Sequence, residues 1–304
     1  MSWQKTLLNP CLRWIERSHM ARAKDPDKLR RSLELKARMF FHGPRGMDTK
    51  WDNVGGVEAL RVSGTWVEND NILLYFHGGG YVFGSPKIYD AMLGHLSKRV
   101  GAEAILPKYP LSPETKFPAA LNTARAAYDG VRAQGYRPEQ IIIGGDSAGG
   151  NLALALLAQL LRDGAATPAG AFAFSPLTDM TYSGASISVN ASRDVILPAE
   201  RVLEMAQMFL DGHDPLDPLV SPIHADFTGA PPAWITVGDT EILLDDTRRI
   251  VNVMQKQGVD AQMHIERDLP HVWPLFHNIL PESRATLDKL ADWISDRPGW
   301  SSGN

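Results

Sequence analysis

The sequence predicts an α/β protein in which helices cover both faces of a largely parallel β-sheet. Two observations lead to this fold class. From residue 104 onward, short apolar runs bounded by turn residues alternate with longer segments of helical periodicity. The chain of 304 residues is also long enough to bury a large core, and one domain of this class with an inserted segment fits that length.

The predicted strands are short apolar runs flanked by glycine, proline or polar residues. They cover residues 57–62, 64–67, 72–77, 104–108, 140–144, 170–174, 233–237 and 261–266. The main predicted helices cover residues 88–100, 119–134, 148–162, 244–257 and 282–295. No crossover helix fits between the first two strands, so we expect that pair to be antiparallel.

Two further segments depart from this alternation. Residues 1–45 contain two predicted helices, and residues 178–222 contain a predicted helix at 197–210 but no good strand. We interpret both segments as parts of a cap over the site, which leaves residues 46–177 and 223–304 as the two parts of the core. The first helix has apolar residues at helical spacing and basic residues elsewhere, which predicts docking on the protein body, with adsorption to a membrane surface as the alternative.

The composition argues against several classes of function. A net charge of −4 and a pI near 6.1 lack the positive potential that is typical of nucleic-acid-binding proteins. No apolar run is long enough for a membrane span, and the first residues lack the apolar core of a signal peptide. Because Cys11 is the only cysteine, no internal disulfide is possible, and we expect a cytoplasmic protein.

Two glycine-rich motifs indicate acyl-transfer chemistry. Gly145-Asp146-Ser147-Ala148-Gly149 joins a predicted buried strand to a predicted helix, which is typical of a nucleophile elbow, and it predicts Ser147 as the nucleophile. His77-Gly78-Gly79-Gly80 follows another predicted strand, and its unobstructed N–H groups can face an oxygen that acquires negative charge. We therefore expect Gly78, Gly79 and Ala148 to supply the donors of an oxyanion hole. His77 is interpreted as a brace for this loop and not as the catalytic base.

The base is expected after the last strand, because in this architecture the chain order is serine, acid, histidine. His271 lies on the loop that follows predicted strand 261–266, at the end of a strand where α/β folds place functional groups. His277, six residues further on, is the rival candidate.

Four carboxylates compete for the role of the acid that orients the histidine. Asp245 and Asp246 fall in the first turn of a predicted helix, where negative charge suits the helix dipole and needs no catalytic explanation. Asp239 directly follows a strand and can bond the local backbone. Glu241 falls on the loop itself, and glutamate can hold an imidazole in one tautomer as aspartate does, so Glu241 is the predicted acid and Asp239 stays open.

Aromatic and methionine side chains suggest where the substrate binds. Tyr81 and Phe83 lie beside the glycine-rich loop, and Met205 and Phe209 lie on the predicted helix of the inserted segment. Such a stripe is either part of the core or part of the lining of an apolar acyl pocket, since methionine adapts to varied shapes. We expect these four residues to bind the substrate.

Over nearly its whole length the chain resembles the hormone-sensitive-lipase-like family of bacterial esterases, within the α/β-hydrolase fold. The resemblance depends on six stretches that begin at residues 77, 109, 144, 175, 217 and 269: HGGGYVFGS, YPLSPETKFPAAL, GGDSAGGNLAL, SPLTDMT, DPLVSPIHAD and LPHVW. It implies Ser147 and His271 as the catalytic serine and histidine. The common acid motif D-P-L-x-D-E is replaced here by a stretch that begins with Glu241. The resemblance also implies an eight-stranded sheet, a helical cap, no metal, no cofactor and a homodimer.

These observations together predict hydrolysis of small carboxylic esters through an acyl-enzyme. The resemblance implies a preference for acyl chains of short to medium length. A lactone, an acetylated sugar or another acetylated metabolite is an alternative substrate for the same residues. A ligand receptor without catalysis is a more remote alternative, because such receptors lack the histidine that this chain retains. A peptidase is also a weak alternative.

Overall fold

The computed structural model describes residues 2–23 and 25–300. Its centre is one eight-stranded sheet, as the resemblance implied. The strands are β1 (Met47–Val54), β2 (Val57–Gly64), β3 (Ile72–Phe76), β4 (Glu103–Pro107), β5 (Ile141–Asp146), β6 (Gly170–Phe174), β7 (Ala233–Gly238) and β8 (Ala261–Glu266). Their order in the sheet is β1-β2-β4-β3-β5-β6-β7-β8. β2 is antiparallel to β1 and to β4, and every other neighbouring pair is parallel.

Each predicted helix is present with differences at its ends, the one at 197–210 being α-helical only from Val202, and the short helix Ser186–Val189 was not predicted. The helices are α1 (Trp3–Leu12), α2 (Ser18–Arg22), α3 (Pro26–Phe40), α4 (Pro86–Val100), α5 (Ala119–Ala133), α6 (Ser147–Arg162), α7 (Ser186–Val189), α8 (Val202–Leu210), α9 (Leu244–Lys256) and α10 (Pro281–Ser295). A π-helical segment, Arg13–Arg17, connects α1 to α2, so the two predicted N-terminal helices correspond to residues 3–22 and to α3. Among the described residues, no helix combines the length and the apolar character that a bilayer span requires.

One predicted strand is wrong and one real strand was missed. Residues 64–67 do not form a strand of their own, because β2 ends at Gly64 and the chain turns there. The apolar character of that stretch comes from Trp66, whose side chain is buried and whose indole N–H donates to Ser97 Oγ at 3.0 Å. The antiparallel partner of β2 is β1, which is largely polar and exposed and so lacks the apolar pattern of a strand.

The strand sequences explain the layered core. The central strands β3, β5, β6 and β7 are buried along their whole length, as a parallel sheet with helices on both faces requires. Alternate residues of one strand enter different apolar clusters. Leu74 and Phe76 pack with residues of α5, α6 and α9, whereas Leu73 and Tyr75 pack with residues of α4 and α10.

The parallel strands bring distant parts of the chain to one edge of the sheet. β3 leads into the glycine-rich loop, β5 ends directly before Ser147, and β7 and β8 precede Glu241 and His271. The carboxyl ends of parallel strands meet at the same edge, where α/β folds place their ligand sites. The topology therefore places all four segments at one end of the molecule.

Candidate active site

Ser147 occupies a sharp turn between β5 and α6. Its backbone has a φ of 52°, a left-handed conformation that is uncommon for a residue with a side chain. The close approach of strand and helix requires glycine on both sides, because a Cβ at Gly145 would collide with the Gly149 carbonyl and a Cβ at Gly149 would collide with the carbonyl of Phe76. This is the geometry of a nucleophile elbow.

The glycine-rich loop corrects the predicted set of oxyanion donors. The Gly78 N–H donates to Asp146 Oδ1 at 2.8 Å, so it is not available to a substrate and the prediction for Gly78 is wrong. Gly79 and Gly80 instead line the same cavity as Ser147. Gly79 has a φ of 123°, which a residue with a side chain rarely adopts.

Asp146 is a residue of the site that the sequence interpretation missed. Its buried carboxylate accepts hydrogen bonds from Gly78 N, from Tyr75 Oη at 2.8 Å and from Tyr89 Oη at 3.0 Å. Burial raises the pKa of Asp146 to about 6, against the opposing effect of the two tyrosine hydroxyls. The carboxylate therefore joins the glycine-rich loop to the elbow. Its position next to the nucleophile in G-D-S was the available signal.

His77 braces the glycine-rich loop, as predicted. Its ring stacks on Tyr109 with centroids 4.3 Å apart, and its Nδ1 is 2.8 Å from the carbonyl oxygen of Gly78. The Tyr109 hydroxyl donates to the His77 carbonyl at 2.6 Å. Burial lowers the pKa of His77 to about 4.

Glu241 and His271 form a buried hydrogen-bonded pair. His271 Nδ1 donates to Glu241 Oε2 at 2.6 Å, and the side chains of the two residues are 7% and 1% exposed. The other carboxylate oxygen of Glu241, Oε1, accepts from Ser175 Oγ at 2.8 Å and from Gly238 N at 2.6 Å. Both oxygens thus have partners, which fixes the carboxylate against the imidazole. Ser175, which the sequence interpretation did not select, lies in the SPLTDMT stretch.

The electrostatics of the pair favour a charged imidazole. Burial is the largest single effect and disfavours the imidazolium ion, but the charge and hydrogen bond of Glu241, together with the charges of Asp194 and Asp146, outweigh it and raise the pKa of His271 above 6.5. A base of this kind is neutral, and therefore able to accept a proton, only above its own pKa.

The other candidate acids bond elsewhere. Asp239 Oδ1 accepts from the backbone N–H of Asp268 at 2.6 Å. Asp245 and Asp246 lie in the first turn of α9, as predicted, and accept from backbone N–H groups of the inserted segment. Within the described part of the chain, Glu241 is the carboxylate that bonds His271.

The rival histidine lies outside the cavity. The ring of His277 packs against His95 at a centroid distance of 4.7 Å, and its Nε2 is 3.4 Å from the His42 carbonyl oxygen. Burial lowers its pKa to about 4.

Ser147 and His271 line one cavity of about 370 Å³. Its walls are almost entirely apolar, and this volume falls in the usual range for small-molecule sites. The first forty residues contribute Leu12, Ile15 and Met20 among others, and the inserted segment contributes Leu197 and Met205. Residues of both segments therefore line the cavity together with the serine and the histidine.

The four predicted substrate-binding residues divide into two groups. Phe83 and Met205 line the cavity. Tyr81 and Phe209 do not, because their rings stack on each other at 3.8 Å and both are buried in the core. The Tyr81 hydroxyl also donates to Asn151 Oδ1 at 2.6 Å. The prediction for Tyr81 and Phe209 is wrong, and their role is to pack the inserted segment onto the core.

Comparison with known proteins gives matches over most of the chain. A family model described as the alpha/beta hydrolase fold matches residues 73–275. The chain is 38% identical over 233 residues to an acetyl-hydrolase of Streptomyces hygroscopicus, which covers 76% of this chain and 78% of that protein. It is 30% identical over 271 residues to an esterase of Acinetobacter venetianus, with 89% of each chain covered. A crystal structure of an esterase from the bacterial hormone-sensitive lipase family superposes with a TM-score of 0.91 at 36% identity and covers 96% of this chain and 97% of that chain.

Proposed function

The chain belongs to the hormone-sensitive-lipase-like family of bacterial esterases, with the α/β-hydrolase fold, and we propose that this carboxylic-ester hydrolase works through Ser147, His271 and Glu241. The observation that carries the proposal is the 2.6 Å hydrogen bond between His271 Nδ1 and Glu241 Oε2, at the cavity that Ser147 also lines. With Nδ1–H directed at the carboxylate, Nε2 carries the free lone pair that a general base needs.

The reaction follows from these positions. Ser147 Oγ attacks the ester carbonyl carbon while His271 Nε2 takes the hydroxyl proton. His271 then returns that proton to the departing alkoxide, and an acyl-enzyme is left on Ser147. A water molecule, deprotonated by the same nitrogen, attacks the acyl carbon, and the acid is released as the proton returns to Ser147. Glu241 stabilises the imidazolium form in both halves of the reaction.

The oxyanion hole of this proposal consists of the N–H groups of Gly79, Gly80 and Ala148. Gly79 and Gly80 border the cavity, and Ala148 follows the nucleophile at the amino end of α6, where the helix dipole favours negative charge. Gly80 takes the place that Gly78 had in the sequence interpretation, because the Gly78 N–H is bonded to Asp146. Each such donor contributes about 3–4 kcal/mol of transition-state stabilisation.

We propose that the substrates are esters with acyl chains of short to medium length. The cavity of about 370 Å³ supports this, since it lies near the lower end of the range for ligand sites. A second candidate is an acetylated sugar or metabolite, and the name of the Streptomyces relative, acetyl-hydrolase, favours it. The same three residues would serve both substrates, as they would a lactone.

The test uses p-nitrophenyl esters with acyl chains from C2 to C16, with Ser147→Ala as the control. We expect the highest kcat/KM at C2 to C8 and no turnover by the variant. Mass spectrometry after treatment with a serine-directed phosphonate should show one adduct on Ser147. A wild-type adduct on another residue would contradict the assignment of the nucleophile, and fastest turnover at C14–C16 would contradict the chain-length proposal.

The proposed assembly is a homodimer. The family resemblance suggests it, and β8 supports it as an edge strand with two partly exposed apolar side chains, Met263 and Ile265. Sedimentation equilibrium of the wild type and of Ile265→Lys tests it, since a charge at a two-fold interface would meet its own copy. A wild-type monomer at micromolar concentration would contradict this proposal.

The proposed location is the cytoplasm. The single cysteine supports it, because Cys11 is exposed and no internal disulfide is possible. Cell fractionation of the source organism with an antibody against the protein tests this proposal. Recovery of the protein in the extracellular medium would contradict it.

A further inference from the structure

The first helical segment exposes an apolar stripe. Trp3, Leu7 and Trp14 are 69%, 65% and 81% exposed. They are four and seven residues apart, so they share one face of the continuous helix formed by α1 and the π-helical segment. The opposite face carries Leu12, which is buried. A helix with apolar residues on both its inner and its outer face is unusual at a protein surface that meets only water.

α3 continues this apolar surface. Leu35, Met39 and Phe40 are 60%, 61% and 54% exposed. A salt bridge of 2.6 Å between Lys36 Nζ and Glu16 Oε1 holds α3 beside the π-helical segment. The exposed apolar face of the first helical segment and that of α3 therefore belong to neighbouring helices. We name the set the N-terminal surface, and its members are Trp3, Leu7, Trp14, Leu35, Met39 and Phe40.

The N-terminal surface adjoins the entrance of the cavity. Ile15 and Phe40 line the cavity and are 45% and 54% exposed, so each has one side inside and one side in solvent. Trp14 precedes Ile15 in the chain, and Met39 precedes Phe40. In each of these two pairs, one apolar residue therefore lines the cavity and its neighbour in the sequence lies on the outside of the cap.

The charge of this region is opposite to that of the rest of the protein. Residues 1–45 have a net charge of +7, and the remainder of the chain has −11. Arg31 and Arg38 are exposed on α3 between the apolar residues, and neither has a salt bridge within the described chain. Basic residues interleaved with tryptophan and aliphatic side chains on a helix are typical of segments that lie in the headgroup region of a bilayer.

We propose that the N-terminal surface binds the face of an anionic lipid bilayer. Trp3, Leu7 and Trp14 enter the headgroup region, and Arg31 and Arg38 bind lipid phosphates. A second copy of the chain is a poorer occupant, because a two-fold interface would bring two regions of net charge +7 together. Binding in this orientation turns the cavity entrance toward the lipid. The proposal does not depend on which residues catalyse ester hydrolysis.

The experiment measures sedimentation of the full chain with vesicles of phosphatidylcholine containing 30% phosphatidylglycerol, and with vesicles of phosphatidylcholine alone. We expect binding to the anionic vesicles, weakening as salt is raised from 0.05 to 0.5 M because the phosphate contacts are screened. Trp3→Ala/Leu7→Ala/Trp14→Ala should lower the partition coefficient at least tenfold. Arg31→Gln/Arg38→Gln should lower it about thirtyfold.

Arg137→Gln/Arg162→Gln is the matched control. It removes the same charge from exposed arginines outside the cap and should leave the partition coefficient within twofold of the wild type. Unchanged thermal unfolding of all three variants shows that they are folded. Absence of wild-type binding to the anionic vesicles at low salt would overturn the proposal, as would an equal loss in the control. Conversion of a lipid-free dimer to a monomer by the tryptophan variant, without loss of vesicle binding, would also overturn it and assign the surface to a second copy.

Discussion

The backbone N–H of Gly78 donates a 2.8 Å hydrogen bond to Oδ1 of Asp146, although 68 residues separate them in the chain. Asp146 directly precedes the proposed nucleophile, and Gly78 directly precedes the two glycines of the proposed oxyanion hole. The bond therefore links the loop of the proposed oxyanion hole to the turn that carries the proposed nucleophile. Beyond the pairing of β3 with β5, the buried carboxylate of Asp146 therefore fixes their relative position.

Asp146→Ala should lower kcat on p-nitrophenyl butyrate by about 10- to 100-fold, which corresponds to a lost hydrogen bond to a charged group of about 1.5–3 kcal/mol. KM should change by less than about threefold, because the apolar residues that line the rest of the cavity are unaltered. Asp146→Asn is the matched variant, since its amide oxygen still accepts from Gly78, and it should retain most of the activity. Equal losses in both variants would show that the carboxylate acts through its charge and not through this bond.

Glu241→Gln should lower kcat by about three orders of magnitude, because a neutral amide neither stabilises the imidazolium ion nor fixes the tautomer with Nδ1–H. Asp239→Asn is the control from the same loop and should stay within about threefold of the wild type. Its carboxylate accepts from the Asp268 backbone and has no bond to His271. Steady-state kinetics on one ester compare the two, and a larger loss in Asp239→Asn would reverse the assignment of the acid.

Activity should fall as the pH drops through the pKa of His271, because only the neutral imidazole accepts the serine proton. The Glu241 carboxylate stabilises the charged form and raises this pKa, so the acid limb of kcat/KM should have its midpoint above 6.5. In Glu241→Gln that stabilisation is gone, and the midpoint of the residual activity should move to lower pH. A midpoint that stays unchanged in the variant would mean that another group controls the acid limb.

Met205→Ala should alter acyl-chain selectivity. The Met205 side chain lines the cavity and lies over Gly80, so its loss removes apolar contacts with the acyl chain of a bound ester. We expect kcat/KM for the hexanoate ester to fall about tenfold relative to the acetate ester, as for one or two methylene contacts. Met208→Ala, on the same helix, is the control, because Met208 borders a small neighbouring cavity but not the one that holds Ser147, and should leave the ratio unchanged. Equal ratios in both variants would remove Met205 from the acyl site.

Phe209→Ala should destabilise the protein without a specific effect on substrate choice. The ring is 4% exposed and stacks on Tyr81, and truncation of a buried phenylalanine costs about 3–5 kcal/mol. Thermal unfolding should therefore occur at a lower temperature, while the ratio of kcat/KM for acetate and hexanoate esters stays as in the wild type. A changed ratio with unchanged stability would return Phe209 to the substrate site.

The central strands and the helices were predictable because their patterns are produced by burial. β5 begins with a run of three isoleucines and β7 is mostly apolar, each bounded by polar, proline or glycine residues, so the sequence alone locates them. β1 has no such pattern, because an edge strand with exposed side chains does not require apolar residues at regular positions. Trp66 produced the opposite error, since an indole can be buried by a turn as well as by a strand.

The elbow and its glycines could be predicted because the close packing of strand and helix imposes the residue types locally. The identity of the glycine that faces the substrate could not, since Gly78 is withdrawn from the cavity by a tertiary bond to Asp146. A tertiary contact also explains why the substrate-binding prediction for Tyr81 and Phe209 is wrong. Each is apolar enough to line a pocket, and only their contact with each other shows that they belong to the core.

The start of α1 is anchored by residues that lie far along the chain. Ser2 donates to Glu282 through its backbone N–H at 2.9 Å and through its hydroxyl at 2.8 Å, and Asn9 donates to the Asp268 carbonyl at 3.1 Å. The partners in these bonds lie 259 to 280 positions apart in the sequence. Because Leu8 also packs on Leu269 and Leu280, α1 cannot complete its docking until residues 268–282 have left the ribosome, and during that interval its apolar inner side is open to aggregation.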